Sequence, residues 1–254
     1  MKQRPGNTAG SPEKVKPYDA SRPKTEQVEE MFDSIAPAYD FMNRAMTMGI
    51  DKIWRAKAVA MVRGGAPRRI LDVATGTGDL AIKLARAVPE ASVTGIDLSE
   101  GMLEIGRQKV ASAGLADRIA LTKADCLDLP FADGSFDAVT VAYGVRNFEN
   151  LAAGYREMAR VLSPGGMLCV VELSVPQGRI VNPLYRLYSG KIIPAVGRPI
   201  SRDSAAYSYL PASIAAMPQG ERMLDIMRGA GLSDAALRAL TFGVCTIYTA
   251  FKRD

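Results

Sequence analysis

The residues that could do chemistry concentrate between Arg69 and Asp125. An apolar run, Ile70-Leu71-Asp72-Val73, opens into the small-residue turn Ala74-Thr75-Gly76-Thr77-Gly78, with Asp79 directly after it. A second run, 92–96, ends on Asp97, and Asp125 follows a third. Glycines in such a turn let a ligand lie against backbone that side chains would otherwise block. A carboxylate about twenty residues on can hold the two hydroxyls of a ribose. The unit reads as a nucleoside-binding site.

Gly76-Thr77-Gly78-Asp79-Leu80-Ala81 satisfies the loose dinucleotide pattern G-x-G-x-x-A. On that pattern alone a nicotinamide dinucleotide remains a candidate. The neighbouring acids point elsewhere, because Asp72 and Asp79 put negative charge where a pyrophosphate would sit. Acids at the ends of successive strands suit a ligand with a ribose, an adenine amino group and a cationic centre. S-adenosyl-L-methionine has all three. Asp97 would take the ribose, Asp125 the adenine amino group, and the Asp72 region the ammonium of the methionine part. The bland alternative is that these aspartates end strands and cap helices. It accounts for one aspartate more easily than for the ordered set.

Composition narrows the chemistry further. The 254 residues include no histidine, which removes the usual general base at neutral pH and the commonest metal ligand. Cys126, Cys169 and Cys245 lie far apart, which argues against a zinc site or disulfide framework and suits a reducing compartment. No metal is expected. Neither a signal-peptide pattern in the first thirty residues nor an apolar run of roughly 18 is present, so a soluble, cytoplasmic protein is expected. Residues 1–24 and 176–202 together carry +9 of a chain total of +5, leaving a mildly acidic body. That is a poor match for a nucleic-acid binder and fits a protein touching an anionic surface in one or two places.

The elements that must position these residues alternate. Strands are expected at 70–73, 92–96, 119–123, 136–143, 167–173 and 242–251. Helices are expected at 80–87, 102–113, 151–162 and 221–229, and Ser-Pro-Gly-Gly at 163–166 stops the third. Alternation of this kind implies an α/β fold, a mainly parallel sheet with helices on both faces. Residues 1–24, with four prolines, read as a disordered basic arm. Residues 25–254 read as one domain, with an N-terminal helical cap over 25–66 and a lid-like insertion over 176–215.

The motifs match a known family. The turn and its successor strand resemble motif I of class I S-adenosylmethionine-dependent methyltransferases. Phe32-Asp33-Ser34-Ile35-Ala36-Pro37-Ala38-Tyr39-Asp40-Phe41-Met42-Asn43, continuing to Gly49-Ile50-Asp51-Lys52-Ile53-Trp54-Arg55, resembles one signature of quinone C-methyltransferases of the UbiE/MenG type. Tyr143-Gly144-Val145-Arg146-Asn147-Phe148 resembles the other. The similarity extends over roughly residues 24–252 and takes in Tyr207-Ser208-Tyr209-Leu210-Pro211-Ala212-Ser213-Ile214.

The resemblance implies a Rossmann-like, seven-stranded, mostly parallel sheet and methylation of a polyprenylated quinol ring. S-adenosyl-L-methionine is the implied donor, leaving S-adenosyl-L-homocysteine. Demethylmenaquinol is the expected acceptor. The alternatives are a benzoquinol of ubiquinone synthesis, another phenolic acceptor, or a cofactor-binding scaffold without activity. Carried over by position, Thr77, Asp97, Asp125 and Cys126 (through its backbone) match cofactor contacts, with Asp72, Gly76, Gly78, Leu98 and Ala142 around them. Ala142 stands where many members have serine. Cys245-Thr246-Ile247-Tyr248 stands where relatives often carry a histidine.

Without histidine, the acceptor carbon must be activated through its ring oxygen, since a phenol has a pKa of about 10. Arg146 is expected to stabilise the quinolate and Asn147 to hydrogen-bond the ring oxygen. Tyr39 is expected to orient the quinol or relay its proton, and Asp40 to act as base. Ile180, Leu184, Leu187, Tyr188 and Ile192 fall on one helical face near Arg179, Arg186, Lys191, Arg198 and Arg202. This stretch is expected to cover the prenyl tail and dock on anionic lipid at the inner face of the membrane. The reading leaves room for a homodimer.

Overall fold

In a computed structural model of the chain, the structure describes residues 12–179, 181–188 and 204–253. Its centre is a seven-stranded sheet in the order β3-β2-β1-β4-β5-β7-β6. The strands are β1 (Arg69–Val73), β2 (Ser92–Asp97), β3 (Ile119–Lys123), β4 (Phe136–Ala142), β5 (Leu162–Leu173), β6 (Leu232–Leu240) and β7 (Cys245–Lys252). β7 runs antiparallel to both of its neighbours, and the other pairings are parallel. β1 and β4 are buried nearly end to end, as strands covered on both faces must be.

Helices α1 (Lys24–Thr47) and α2 (Asp51–Gly64) precede the sheet, α3 (Asp79–Ala87) follows β1, α4 (Glu100–Ser112) follows β2, and α5 (Leu151–Val161) precedes β5. A short α6 (Val181–Leu187), α7 (Ser204–Ala216) and α8 (Glu221–Gly229) come before β6. Two cores result. Leu71, Val139, Tyr155 and Met158 lie in the larger one, and Trp54, Ile70, Leu84 and Cys169 in the other.

Three features differ from the reading of the sequence. β6 was absent from it, because Ala235-Ala236-Leu237-Arg238-Ala239-Leu240 has helix-forming composition and mostly exposed side chains; pairing with β7 makes it a strand. β5 starts at Leu162, because that residue pairs with Phe136 across a register shift. The arm, finally, is packed from residue 12 onward. Pro12 is buried, and Lys24, fully buried, donates to the carbonyls of Pro12 (2.8 Å), Arg146 (2.9 Å) and Phe148 (3.3 Å). Burial lowers its pKa to about 8. Ile180, Lys191, Ile192, Arg198 and Arg202, with the side chains of Leu184 and Arg186, lie outside the described residues.

Strand order reverses between β1 and β4, and ligands of open α/β sheets bind beyond the strand ends at such a point. The Gly-x-Gly turn, Asp97, Asp125 and the segment 143–148 all lie there.

Candidate active site

The turn after β1 requires left-handed backbone at Ala74, Gly76 and Gly78 (φ +52, +56 and +76). Gly76 gives its N–H to Asp97 Oδ2 (2.8 Å), and Ser99 gives its own to Asp97 Oδ1 (3.0 Å). Burial pushes the Asp97 carboxyl up, and these backbone donors oppose the shift. Each carboxylate oxygen keeps further lone-pair capacity for a ribose hydroxyl. A Cβ at Gly76 would make ordinary contact with Tyr39 Cε1 at 3.9 Å, so it is the left-handed backbone that favours glycine there.

The cleft holds about 700 Å³ including its mouth. Of the residues expected to meet a cofactor, it brings together Gly76, Asp97, Leu98, Asp125, Cys126 and Ala142, along with Tyr39 and Asn147. Ile96, Met102, Leu127 and Phe148 give it apolar walls suited to an adenine ring. A smaller recess continues past Tyr39 and Gly76 and is lined by Asp72, Thr77, Asp79 and Arg55. Its mixed charges suit the ammonium and carboxylate of an amino acid. The residues present therefore fit S-adenosyl-L-methionine.

Several expectations need correction. Gly78 lines neither the cleft nor the recess; it starts α3 in a left-handed conformation. Asp72 is 1% exposed, and its oxygens accept the hydroxyls of Thr75 and Thr140 (both 2.7 Å). Burial raises its pKa to about 6. Asp79 is paired with Lys109 and stands 4.0 Å from Arg55. The repulsion of a pyrophosphate is thereby weaker than bare aspartates would imply, and the amphoteric recess carries that argument instead. Asp40 accepts from Lys109 Nζ and Thr77 Oγ1 (both 2.7 Å) and lines none of the cavities at this end of the sheet. Its distance from these cavities, with a bond from Thr77 and one from Lys109, gives it a place in organising the turn.

Beside the cleft lie two apolar chambers. The larger, about 1170 Å³ including its opening to solvent, is lined by Trp54, Tyr143, Arg146, Leu173, Leu210 and Ile214 among others. The smaller, about 490 Å³ including its opening, is lined by Phe32, Tyr39, Arg146, Asn147 and Tyr209 among others. Tyr39 and Asn147 thus border both the cofactor cleft and the smaller chamber, while Arg146 borders both chambers.

Arg146 is 6% exposed. Its Nη1 donates to Glu172 Oε1 (2.8 Å) and to the Tyr143 carbonyl, while Nε has no partner. Burial works against its charge, yet Glu172 holds its pKa above the ordinary value. The Asn147 side-chain oxygen accepts from the Tyr209 hydroxyl (3.1 Å), which leaves the amide N–H groups to donate elsewhere. Burial likewise raises the Tyr39 hydroxyl pKa.

The contacts of Glu172, Lys109 and Lys24 are not legible in the sequence, nor are those of Arg55 and Tyr209, which lie within the segments that carry the family resemblance. Glu172 had a signal: a carboxylate within Met167-Leu168-Cys169-Val170-Val171-Glu172-Leu173, a run that reads as buried strand, requires a buried partner.

Comparison with known proteins agrees with this fold and with the cofactor. A model of the ubiE/COQ5 methyltransferase family matches residues 20–252. The chain is 51% identical over 243 residues to a demethylmenaquinone methyltransferase of Porphyromonas gingivalis, covering 95% of this chain and 99% of the relative. It is 48% identical to the protein of the same name from Bacteroides fragilis, covering 94% and 98%. It is 45% identical to a ubiquinone/menaquinone biosynthesis C-methyltransferase UbiE of Geotalea daltonii, covering 90% and 97%. Among solved structures, the S-adenosylmethionine-dependent methyltransferase SibL in its apo form superposes with a TM-score of 0.62 at 20% identity, covering 82% of this chain and 57% of that one. The [4+2]-cyclase SpnF superposes at 0.61 and 19%, covering 91% and 98%. A cyclase on the same fold shows why the fold alone does not fix the reaction.

Proposed function

The chain belongs to the ubiE/COQ5 methyltransferase family, and on that premise we propose that it methylates a ring carbon of a polyprenylated quinol, with S-adenosyl-L-methionine as donor and demethylmenaquinol as acceptor. The observation that carries this reading is the adjacency of a nucleoside cleft to two apolar chambers, with Tyr39, Arg146 and Asn147 on the shared walls. The relatives named demethylmenaquinone methyltransferase favour the naphthoquinol over the benzoquinol.

Asp97, Asp125 and the backbone of Leu98 and Cys126 hold the nucleoside, and the recess of Asp72, Thr77 and Arg55 receives the amino-acid end. When bound, S-adenosyl-L-methionine supplies a methyl group already activated as a sulfonium. The protein's work is to orient the acceptor and make its carbon nucleophilic. The free Arg146 Nε–H and the Asn147 amide donate to the ring oxygen and favour its anion, which sends electron density to the adjacent carbon. Glu172 fixes the guanidinium so that this N–H points away from its own ion pair. Tyr39, on the wall between the smaller chamber and the cofactor cleft, relays the proton of the ring hydroxyl to solvent at the cleft mouth. The methylated carbon then loses its own proton to reprotonate the oxygen as the ring rearomatises, so one proton is released to water per turnover. The chamber walls exclude water and hold the first isoprene units.

Membrane contact is part of the proposal. No helix among the described residues is long and apolar enough to cross a membrane. Met48, which lines the larger chamber, is 76% exposed, and Phe242, next to the chamber residue Thr241, is 84% exposed. Exposed Arg44 and Lys52 flank Met48 in sequence. Apolar tips beside cations suit an anionic bilayer from which the quinol enters.

The test is transfer of labelled methyl to demethylmenaquinol and to the matching benzoquinol, both kept reduced. Product from the naphthoquinol at a higher kcat/KM is expected. Transfer to neither would overturn the reading.

A further inference from the structure

Among the described residues, two buried side-chain polar atoms lack a hydrogen-bond partner, Arg146 Nε and the Tyr143 hydroxyl. Both residues line the larger apolar chamber, and Tyr143 stands on the wall between that chamber and the cofactor cleft. The first already has a role on the acceptor; the second has none. A buried polar group left unpaired costs about 1–3 kcal/mol, and folded proteins keep few of them.

The hydroxyl is held in that position from several sides. The Tyr143 ring meets Trp54 edge to face at 6.5 Å, and the Arg55 guanidinium lies 5.0 Å from its centroid. Its backbone is left-handed (φ +62), at a cost of about 1–2 kcal/mol for a side-chain-bearing residue. The Tyr143 N–H donates to the Val171 carbonyl at 2.8 Å. The next residue, Gly144, packs so closely that a Cβ there would stand 2.6 Å from Ala74 Cβ. Strain, tight packing and an unsatisfied group coincide at one side chain facing the acceptor chamber. Two other hydroxyls on the chamber wall are already engaged: Thr241 accepts from the Trp54 indole (2.8 Å), and Tyr188 donates to the Met46 carbonyl (2.6 Å).

We infer that the Tyr143 hydroxyl binds the second ring oxygen of the acceptor, para to the oxygen held by Arg146 and Asn147, and so selects a 1,4-diol over a monophenol. The inference rests on the proposed quinol acceptor. It assigns the Tyr143 hydroxyl to acceptor specificity, with no part in proton transfer. A site built to hydrogen-bond a substrate hydroxyl penalises an analogue lacking it, because the protein group is then left unpaired.

The experiment is a cycle that crosses the protein hydroxyl with the ligand hydroxyl. Equilibrium affinities for reduced demethylmenaquinol and for the 1-naphthol analogue with the same tail are measured on the wild type and on Tyr143→Phe, with S-adenosylhomocysteine present. The wild type is expected to prefer the diol about tenfold, as one net hydrogen bond allows, and Tyr143→Phe to lose that preference. Its melting temperature without ligand should be equal or higher, since the lost hydroxyl had no partner. An unchanged preference, or a lower melting temperature, would overturn the assignment. Preferential diol binding without methyl transfer would overturn the acceptor reading while leaving the Tyr143 contact supported; binding of neither ligand would overturn both.

Discussion

Arg146 and Glu172 meet at 2.8 Å, with their side chains 7% and 2% exposed. The carboxylate satisfies one edge of the guanidinium and leaves Nε free, so the pair is at once a structural unit and the mount for a donor. Breaking such a pair from one side leaves an uncompensated buried charge, at a cost of about 3–5 kcal/mol, whereas replacing both members can be neutral. Arg146→Met and Glu172→Leu should each lower the melting temperature strongly. The double variant should recover most of that loss yet fall at least a hundredfold in kcat, on the scale of losing an oxyanion donor. Recovered activity in the double variant would remove Arg146 from the chemistry.

Asp40 separates the sequence reading from the geometry. As a base, it would make Asp40→Asn inactive by two orders of magnitude or more. As a partner of Thr77 and Lys109, it should leave kcat within about tenfold and raise KM for S-adenosyl-L-methionine, because the turn at Thr77 loosens. Initial rates at varied cofactor concentration decide between the two.

What the sequence made legible was whatever repeats or has a fixed spacing. Asp97 after Gly-x-Gly, Asp125 after β3 and the central strands all follow from local pattern, and each lies at the strand ends as expected. What it hid were partnerships over long separations. Lys109 reaches Asp40 across 69 positions, and Glu172 meets Arg146 across 26. Nothing local in Asp40 tells a base from an ion-pair partner, and Tyr143, though it opens the signature segment 143–148, shows no task of its own until its hydroxyl is seen unpaired. β6 failed for the same reason, since its strand character comes from β7.

Asp72 predicts a pH dependence. Its folded-state pKa is raised by burial to about 6 from 3.8, so the protonated form favours the fold. That contribution is complete below about 3.8 and is lost as pH rises through about 6, on the order of 3 kcal/mol. The ionised form, in turn, favours a cationic ligand. Affinity for S-adenosyl-L-methionine should therefore rise between pH 5 and 7. Asp72→Asn should flatten that rise and raise the melting temperature of the free protein at pH 7.5. Calorimetric titrations across this range check it; a parallel rise in the variant would assign the dependence elsewhere.

Lys24 holds residues 12–23 against the segment 146–148 through three carbonyls, while Glu149 accepts from the N–H groups of Lys24 (3.1 Å) and Thr25 (3.2 Å). Thr25, Val28 and Glu29 line the cofactor cleft. Lys24→Met should leave those carbonyls unpaired, open the Lys14–Val15 bond to trypsin in the free protein, and weaken cofactor binding severalfold. S-adenosylhomocysteine should restore part of the protection, because binding stabilises the closed segment. Equal cleavage of variant and wild type would show that Lys24 does not hold the segment.

Met48 and Phe242 give the membrane reading its sharpest test, because they stand at or next to the acceptor chamber and are 76% and 84% exposed. Burying two such side chains in a lipid interface is worth about 1.5–3 kcal/mol each at full burial. The double variant Met48→Ser, Phe242→Ser should thus bind vesicles containing anionic lipid at least tenfold more weakly. Neither side chain belongs to the described core, so its melting temperature should be unchanged. Its kcat/KM should fall for a long-tailed quinol presented in vesicles and hold for a short-tailed quinol in solution. That split matters, since a defect in the chemistry would lower both rates together. Loss of the soluble reaction alongside the vesicle reaction would place Met48 and Phe242 in the acceptor site itself and remove the lipid contact.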